Sequence, residues 1–211
     1  MKIANFEIGS KPFIIAEMSG NHNQSIDRAK AIIKAAADAG AHAIKLQTYT
    51  ADTMTLKGAY VINDSNSLWN GRELYELYEE AHTPWEWHKP LFDYAKELGI
   101  IAFSTPFDTT SVDFLEELNV PCHKIASFEN ADHVLLEKVA KTGKPVIMST
   151  GIATITDIQE SLQVLRNNGC KDIVLLKCTS AYPASPINAN IRTIPHMREL
   201  YNCIIGLSDH T

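Results

Sequence analysis

What the sequence lacks narrows its class at once. Its four cysteines, Cys122, Cys170, Cys178 and Cys203, form no CxxC pair and no CxxC…H spacing. That argues against a zinc ribbon or a disulfide scaffold and for small buried hydrophobes in a reduced cytosolic protein. No apolar run approaches the roughly 18 residues of a membrane span, and the start MKIANFEIGSKPFIIAEM lacks a basic segment followed by a long apolar stretch. Low-complexity tracts and linkers are missing too. Positive charge is in the minority, with 19 Lys+Arg against 25 Asp+Glu and a formal net charge of −6. This weighs against nucleic acid or an anionic membrane as the main partner, while leaving room for a local basic cluster in a pocket. At 45% hydrophobic and 21% charged over 211 residues, the chain is neither disordered nor collagen-like. The expectation is a soluble cytoplasmic protein with one large domain whose core needs no staples.

What is present is a unit that repeats: a helical stretch, a Gly or Asn stop, a short apolar run, then a polar cluster. Residues 25–39 open on Ser25 as N-cap, place Ile26, Ala29, Ile33 and Ala36 on one stripe, and end at Gly40. The run Ala43-Ile44-Lys45-Leu46-Gln47-Thr48 follows as a strand. Helical stretches 85–98, 109–118, 132–142, 154–168 and 189–202 lead into apolar runs at 100–105, 122–127, 146–150, 173–179 and 203–210, and residues 13–18 supply an opening strand. Strands that alternate with helices and read as near-continuous apolar runs predict a parallel sheet covered on both faces. Residues 2–9 read as a hairpin. The long connection 49–83, with Leu74, Leu77 and Tyr78 as a helical stripe, exceeds an ordinary βα loop and points to function or to an elaborated cap.

The polar clusters EMSGNH, KLQT, FSTP, KIASFE, MSTG, KCTS and GLSDH all fall at the C-terminal ends of the seven predicted strands. A (β/α)8 barrel gathers those ends on one rim, whereas a doubly wound sheet uses mainly its switch point, so the pattern favours an α/β TIM barrel lacking roughly its last strand and helices. The rim residues are Glu17, Asn21, His22, Lys45, Gln47, Thr105, Lys124, Ser127, Glu129, Ser149, Tyr182, Ser208, Asp209 and His210. Two lysines with several hydroxyls suit a small dianion, because ammonium groups supply charge and hydroxyls donate short hydrogen bonds to phosphate or carboxylate oxygens. The alternative is that Lys45 and Lys124 pair with Glu17 and Glu129 in structural ion pairs. His210, beside carboxylates, has the chemistry of a divalent-metal ligand or an acid–base group. His22 is open to a sugar or metal contact. The other histidines fall on helices, loops or strand starts, as surface or packing residues.

The ordered strings IIAEMSGNHNQS, AIKLQTYTADTMTL, FSTPFD, KIASFE, IMSTGIAT, LKCTSAYP and IIGLSDHT resemble the sialic acid synthase family, and residues 69–88 with KCTSAYP are most similar to its pseudaminic acid branch. The resemblance implies condensation of phosphoenolpyruvate with an open-chain amino sugar, in a homodimer needing a divalent metal, Mn2+ or Mg2+. It implies that Lys45, Thr105, Lys124, Ser127, Ser149 and Ser208 hold phosphoenolpyruvate, and that Gln47, Ser180, Tyr182 and Glu129 meet the sugar. Glu129 is also a proton-transfer candidate. By the same resemblance Glu17 stabilises the cationic centre at C2, and His210 is both catalytic and one of two histidine metal ligands. The family pattern continues past GLSDHT with an eighth strand, the second histidine and a separate antifreeze-like domain, so residues 1–211 read as a partial barrel domain. Rival readings are a neighbouring nonulosonate synthase, a Schiff-base aldolase using Lys45, Lys124 or Lys177, and a non-catalytic anion-binding module.

Overall fold

The computed structural model describes residues 1–9, 11–65, 67 and 69–211. The chain divides into two compact units, residues 13–118 and residues 1–12 with 119–211. The N-terminal segment forms an antiparallel pair, β1 (Lys2–Ile3) and β2 (Phe6–Glu7), with Ile3 opposite Phe6, as the sequence of 2–9 suggests.

In the unit 13–118 the order is β3 (Ile15–Glu17), α1 (Ile26–Asp38), β4 (Ala43–Thr48), α2 (Ala51–Met54), α3 (Leu74–Ala81), α4 (Trp85–Glu97), β5 (Ile101–Pro106) and α5 (Thr109–Glu117). β3, β4 and β5 are parallel neighbours in chain order. The Ser25 hydroxyl accepts from Arg28 N, capping α1, and Gly40 ends the following turn at φ +82°, a region glycine enters without steric penalty. Alternation divides β4 between two faces. Ile44 and Leu46 enter a fully buried core with Met18, which follows β3, Ile33 of α1, and Leu91 and Ala95 of α4, while Lys45 and Gln47 point the opposite way. The connection 49–83 is partly ordered by α2, α3 and a bridge between Val61 and Glu73. Tyr75, outside the expected stripe, is its buried anchor, and its hydroxyl donates to Asp52 Oδ1 at 3.0 Å. Asn66 and Leu68 of this connection lie outside the described residues.

In the other unit the hairpin is joined by β6 (His123–Ile125), α6 (His133–Ala140), β7 (Val146–Ser149), α7 (Ile155–Asn167), β8 (Ile173–Cys178), a 3-10 turn at Pro186–Asn188, α8 (Thr193–Tyr201) and β9 (Ile204–Ser208). β6 to β9 are again parallel neighbours in chain order. Within each unit the strand order rises by one at every step and shows no reversal, so neither contains the switch point of a doubly wound sheet. The predicted strands at 122–127 and 203–210 are shorter than expected because their polar ends leave the ladder. Likewise α8 begins at Thr193 rather than 189, since Pro186 sets up the 3-10 turn and Asn190 takes φ +45°. Among the described residues no helix is long and apolar enough to cross a membrane.

The helix side of the unit 13–118 carries one buried polar chain. The Pro84 carbonyl lies 3.3 Å from His88 Nδ1 and can only accept, so Nε2 carries the lone pair and takes the Thr48 hydroxyl proton at 2.8 Å. Thr48 Oγ1 in turn lies 2.7 Å from Ser104 Oγ. Burial holds the His88 pKa down at about 4 against an ordinary 6.5, with its backbone hydrogen bonds opposing the shift. An unfolded chain therefore binds the proton first, and stability falls as pH drops from 6.5 towards 4, by about 3 kcal/mol over the full window. Burial also depresses His22, which adds loss in the same direction. Urea melts across that range should show the decline, and His88→Phe should flatten it; an unchanged slope would refute this assignment.

Candidate functional site

The polar residues that face away from the helices form one cluster in each unit. In residues 13–118, Lys45 Nζ donates to Thr105 Oγ1 at 3.0 Å and lies 2.8 Å from Glu17 Oε2. The register places Glu17 beside Lys45 and Gln47 beside Thr105, so the four share one face. The ion-pair alternative thus holds for Lys45 and Glu17. The pair is lopsided, however, with side-chain exposures of 7% and 49%: the ammonium is desolvated and the carboxylate reaches solvent. The third N–H of Lys45 has no acceptor among the described residues, which leaves it available to an anion.

In the other unit, Lys124 Nζ donates to Ser149 Oγ at 2.7 Å and to the Ile125 carbonyl at 2.8 Å. The Ser127 hydroxyl accepts from Gly151 N at 3.1 Å. Gly151 is the residue that sequence reasoning passed over, although it sits in the quoted MSTG string. A Cβ there would lie 2.2 Å from Ser180 Oγ, 2.8 Å from Ser127 Oγ and 3.2 Å from Cys178 Sγ. The missing side chain is therefore what lets the Ser127 and Ser180 hydroxyls and the Cys178 thiol converge. Ser208 stands opposite Cys178 in the β8–β9 register and joins the same face by alternation.

Glu129 completes this cluster with a carboxylate oxygen, Oε2, that is buried and has no hydrogen-bond partner. Burial raises its pKa, an effect reinforced by Asp132 and opposed by its own backbone N–H and by Lys124. A buried carboxyl held towards its protonated form is equipped to give a proton to a neighbouring oxygen. His210 is fixed by Nδ1, 2.9 Å from the Thr179 carbonyl, and its ring stacks on exposed Tyr182 at 4.3 Å between centroids. A carbonyl only accepts, so the neutral ring presents its lone pair at Nε2, the tautomer of a metal-ligating histidine. Yet no group of three His, Cys, Asp or Glu able to hold a metal occurs among the described residues. These residues offer one oriented ligand and do not make a metal centre by themselves.

Four residues considered from sequence fall elsewhere. His22 is fully buried, with Nε2 3.1 Å from Thr83 Oγ1 and its ring edge-on to Trp87, so it packs rather than meeting a sugar or metal. Asn21 is used locally, its side-chain amide donating to the Met18 carbonyl at 2.9 Å. Lys177 alternates with Cys178 and so faces away from the Lys124 cluster, which removes it from the Schiff-base alternative. Asp209 accepts from Thr211 N and Oγ1 at the chain's last turn.

Gly151→Ala should displace the Ser127 and Ser180 hydroxyls by rotation, with little loss of fold. Affinity for a phosphate-bearing ligand should fall about ten-fold, or ~1.4 kcal/mol. Isothermal titration, with circular dichroism as the control, measures this; equal affinity would show that the convergence at Gly151 does not matter.

Comparison with known proteins bears on what these clusters serve. The chain is 45% identical over 214 residues to a pseudaminic acid synthase of Campylobacter jejuni, covering 100% of this chain and 62% of that protein. It is 37% identical over 207 residues to an N,N'-diacetyllegionaminic acid synthase of the same species, covering 95% and 61%. The crystal structure of an N-acetylneuraminic acid (sialic acid) synthetase from Leptospira borgpetersenii, in complex with citrate, superposes with a TM-score of 0.89 at 31% identity, over 100% of this chain and 70% of that one. The chain thus spans about three fifths of the length of the curated relatives it matches. The family model described as the NeuB family matches residues 32–211, and with that match over most of its length the chain belongs to the NeuB family.

Proposed function

We propose that the protein containing this chain is a pseudaminic acid synthase. It condenses phosphoenolpyruvate with the open-chain aldehyde of 2,4-diacetamido-2,4,6-trideoxy-β-L-altropyranose and water, releasing pseudaminate and phosphate. The carrying observation is the pair of desolvated strand-end lysines, each bonded to a hydroxyl: Lys45 with Thr105 and Lys124 with Ser149. Such pairs are suited to the oxygens of a small dianion. The choice of pseudaminate over legionaminate is supported by the 45% against 37% identity within one species. A legionaminate or N-acetylneuraminate synthase is the second reading, favoured by the synthetase likeness of the fold. The unreversed strand order in each unit supports a (β/α)8 barrel for the whole domain, and a homodimer belongs to the same reading.

In this mechanism Lys45, Thr105, Lys124, Ser127, Ser149 and Ser208 bind the phosphate and carboxylate. Gln47, Ser180 and Tyr182 orient the sugar. C3 of phosphoenolpyruvate then bonds to the aldehyde carbon, and Glu129 supplies the proton that the aldehyde oxygen takes up. Positive charge develops at C2, where the Glu17 carboxylate, held by Lys45, stabilises it. Water adds at C2 and loses a proton, and the tetrahedral adduct collapses to the ketone as the C2–O bond breaks and phosphate leaves. His210, with Nδ1 fixed on Thr179, is the residue of this chain proposed to ligate a divalent cation, Mn2+ or Mg2+.

Phosphate release from the full-length protein should require both phosphoenolpyruvate and the amino sugar, and should stop on chelation. Activity that survives thorough metal removal would sink the metal proposal alone. The altro sugar should be used at least about ten-fold better in kcat/KM than the legionaminate precursor; the reverse preference establishes the second reading. Glu129→Gln should lower kcat by about 10²–10⁴ with KM for phosphoenolpyruvate nearly unchanged, whereas a pure rise in KM would make Glu129 a binding residue only.

A further inference from the structure

The buried lysine that the proposed reaction does not use is Lys177. Its neighbours Leu176 and Cys178 lie on the face of β8 that meets Gly206 and Gly151, so Lys177 projects to the helix side. It is only 8% exposed, and its ammonium makes one hydrogen bond, to Thr179 Oγ1 at 2.7 Å. No carboxylate lies within ion-pair distance among the described residues. An ammonium has three N–H donors, and burying one without a counter-charge is among the most expensive arrangements in a protein interior.

The space in front of Lys177 is a cavity of about 540 Å3 between β8, α7 and α8. Its lining includes Lys177, Asn188, Asn190 and His196 with hydroxyls such as Thr179 and Ser180, together with apolar side chains such as Ile158 and Leu200; among the described residues no aspartate or glutamate lines it. That volume lies within the range of small-molecule sites, roughly 300–1,000 Å3. Amide N–H groups, an imidazole and a desolvated ammonium together donate and do not neutralise. The complementary ligand carries an oxyanion at one end and an apolar portion at the other. We propose that this cavity is a second anion site, adjoining the strand-end cluster at Gly151, Cys178 and Ser180 but seated on Lys177, which takes a small organic phosphate or carboxylate with its oxyanion on that ammonium. The proposal does not depend on the condensation reaction: its oxyanion seat is Lys177, to which that reaction gives no role, and Ser180, assigned to the sugar, only borders the cavity.

Inorganic phosphate and acetate serve as minimal probes on the full-length protein, titrated by calorimetry and by the imidazole resonances of labelled His196. Wild type should bind two phosphates per chain, with the His196 signal moving in step with one of them. Lys177→Met should weaken that class at least ten-fold while sparing phosphoenolpyruvate turnover, and Lys177→Arg should restore it. Lys124→Met should remove the other class and leave His196 responsive. Acetate moving His196 as strongly as phosphate would assign the carboxylate form of the ligand, and phosphate alone the phosphate form. A His196 resonance unmoved by either anion in wild type overturns the proposal, even if a variant fails to fold. Equal phosphate stoichiometry and affinity in Lys177→Met overturns it as well.

Discussion

A strand side chain faces one way or the other, and a buried ammonium must find oxygen on the side it faces. This period-two constraint governs the molecule. On β4, Ile44 and Leu46 take the helix side with the core, so Lys45 must be satisfied on the other by Glu17 and Thr105. On β6 and β7, Lys124 meets Ser149 by the same rule. Hydroxyls at the strand ends are thus the acceptors without which these lysines could not be buried. They are also donors to whatever anion displaces water.

The two carboxylates divide along the same logic. Glu17 is half exposed and paired with an ammonium. Glu129 is buried with one oxygen unpartnered, and burial raises its pKa. One fold thereby places two identical side chains in opposite settings, one in solvent beside an ammonium and one where burial raises its pKa, the kind of separation that acid–base sites use.

Much of this was legible in the sequence. The helix–stop–apolar–polar rhythm located α1, α4 to α8 and β3 to β9, because each signal is local: Ser25 caps, Gly40 stops, and the apolar runs cannot be exposed; the four-residue α2 carried no such signal. The strand-end lysines and serines followed from position alone. What stayed hidden depends on tertiary contact. Nothing near His22 tells it from His210; only Thr83 and Trp87, far along the chain, bury the former, while the Thr179 carbonyl orients the latter. Gly151 looks like a turn residue until Ser127 and Ser180 are seen to occupy the place of its side chain. Lys177 reads as a third active-site lysine until its parity on β8 is counted.

That parity also says where chains of this architecture can change length. Within β8 the adjacent residues Lys177 and Cys178 take opposite faces of the sheet, and removal of one residue upstream would exchange them, sending an ammonium among the serines and a thiol to the helix side. Insertions and deletions inside such a strand therefore cannot be absorbed gradually. The connection from Thr55 to Arg72 has no such bookkeeping: among the described residues its one bridge joins Val61 to Glu73, and Leu56, Tyr60 and Trp69 are exposed. Length variation among related chains should collect there, leaving the strands constant to the residue.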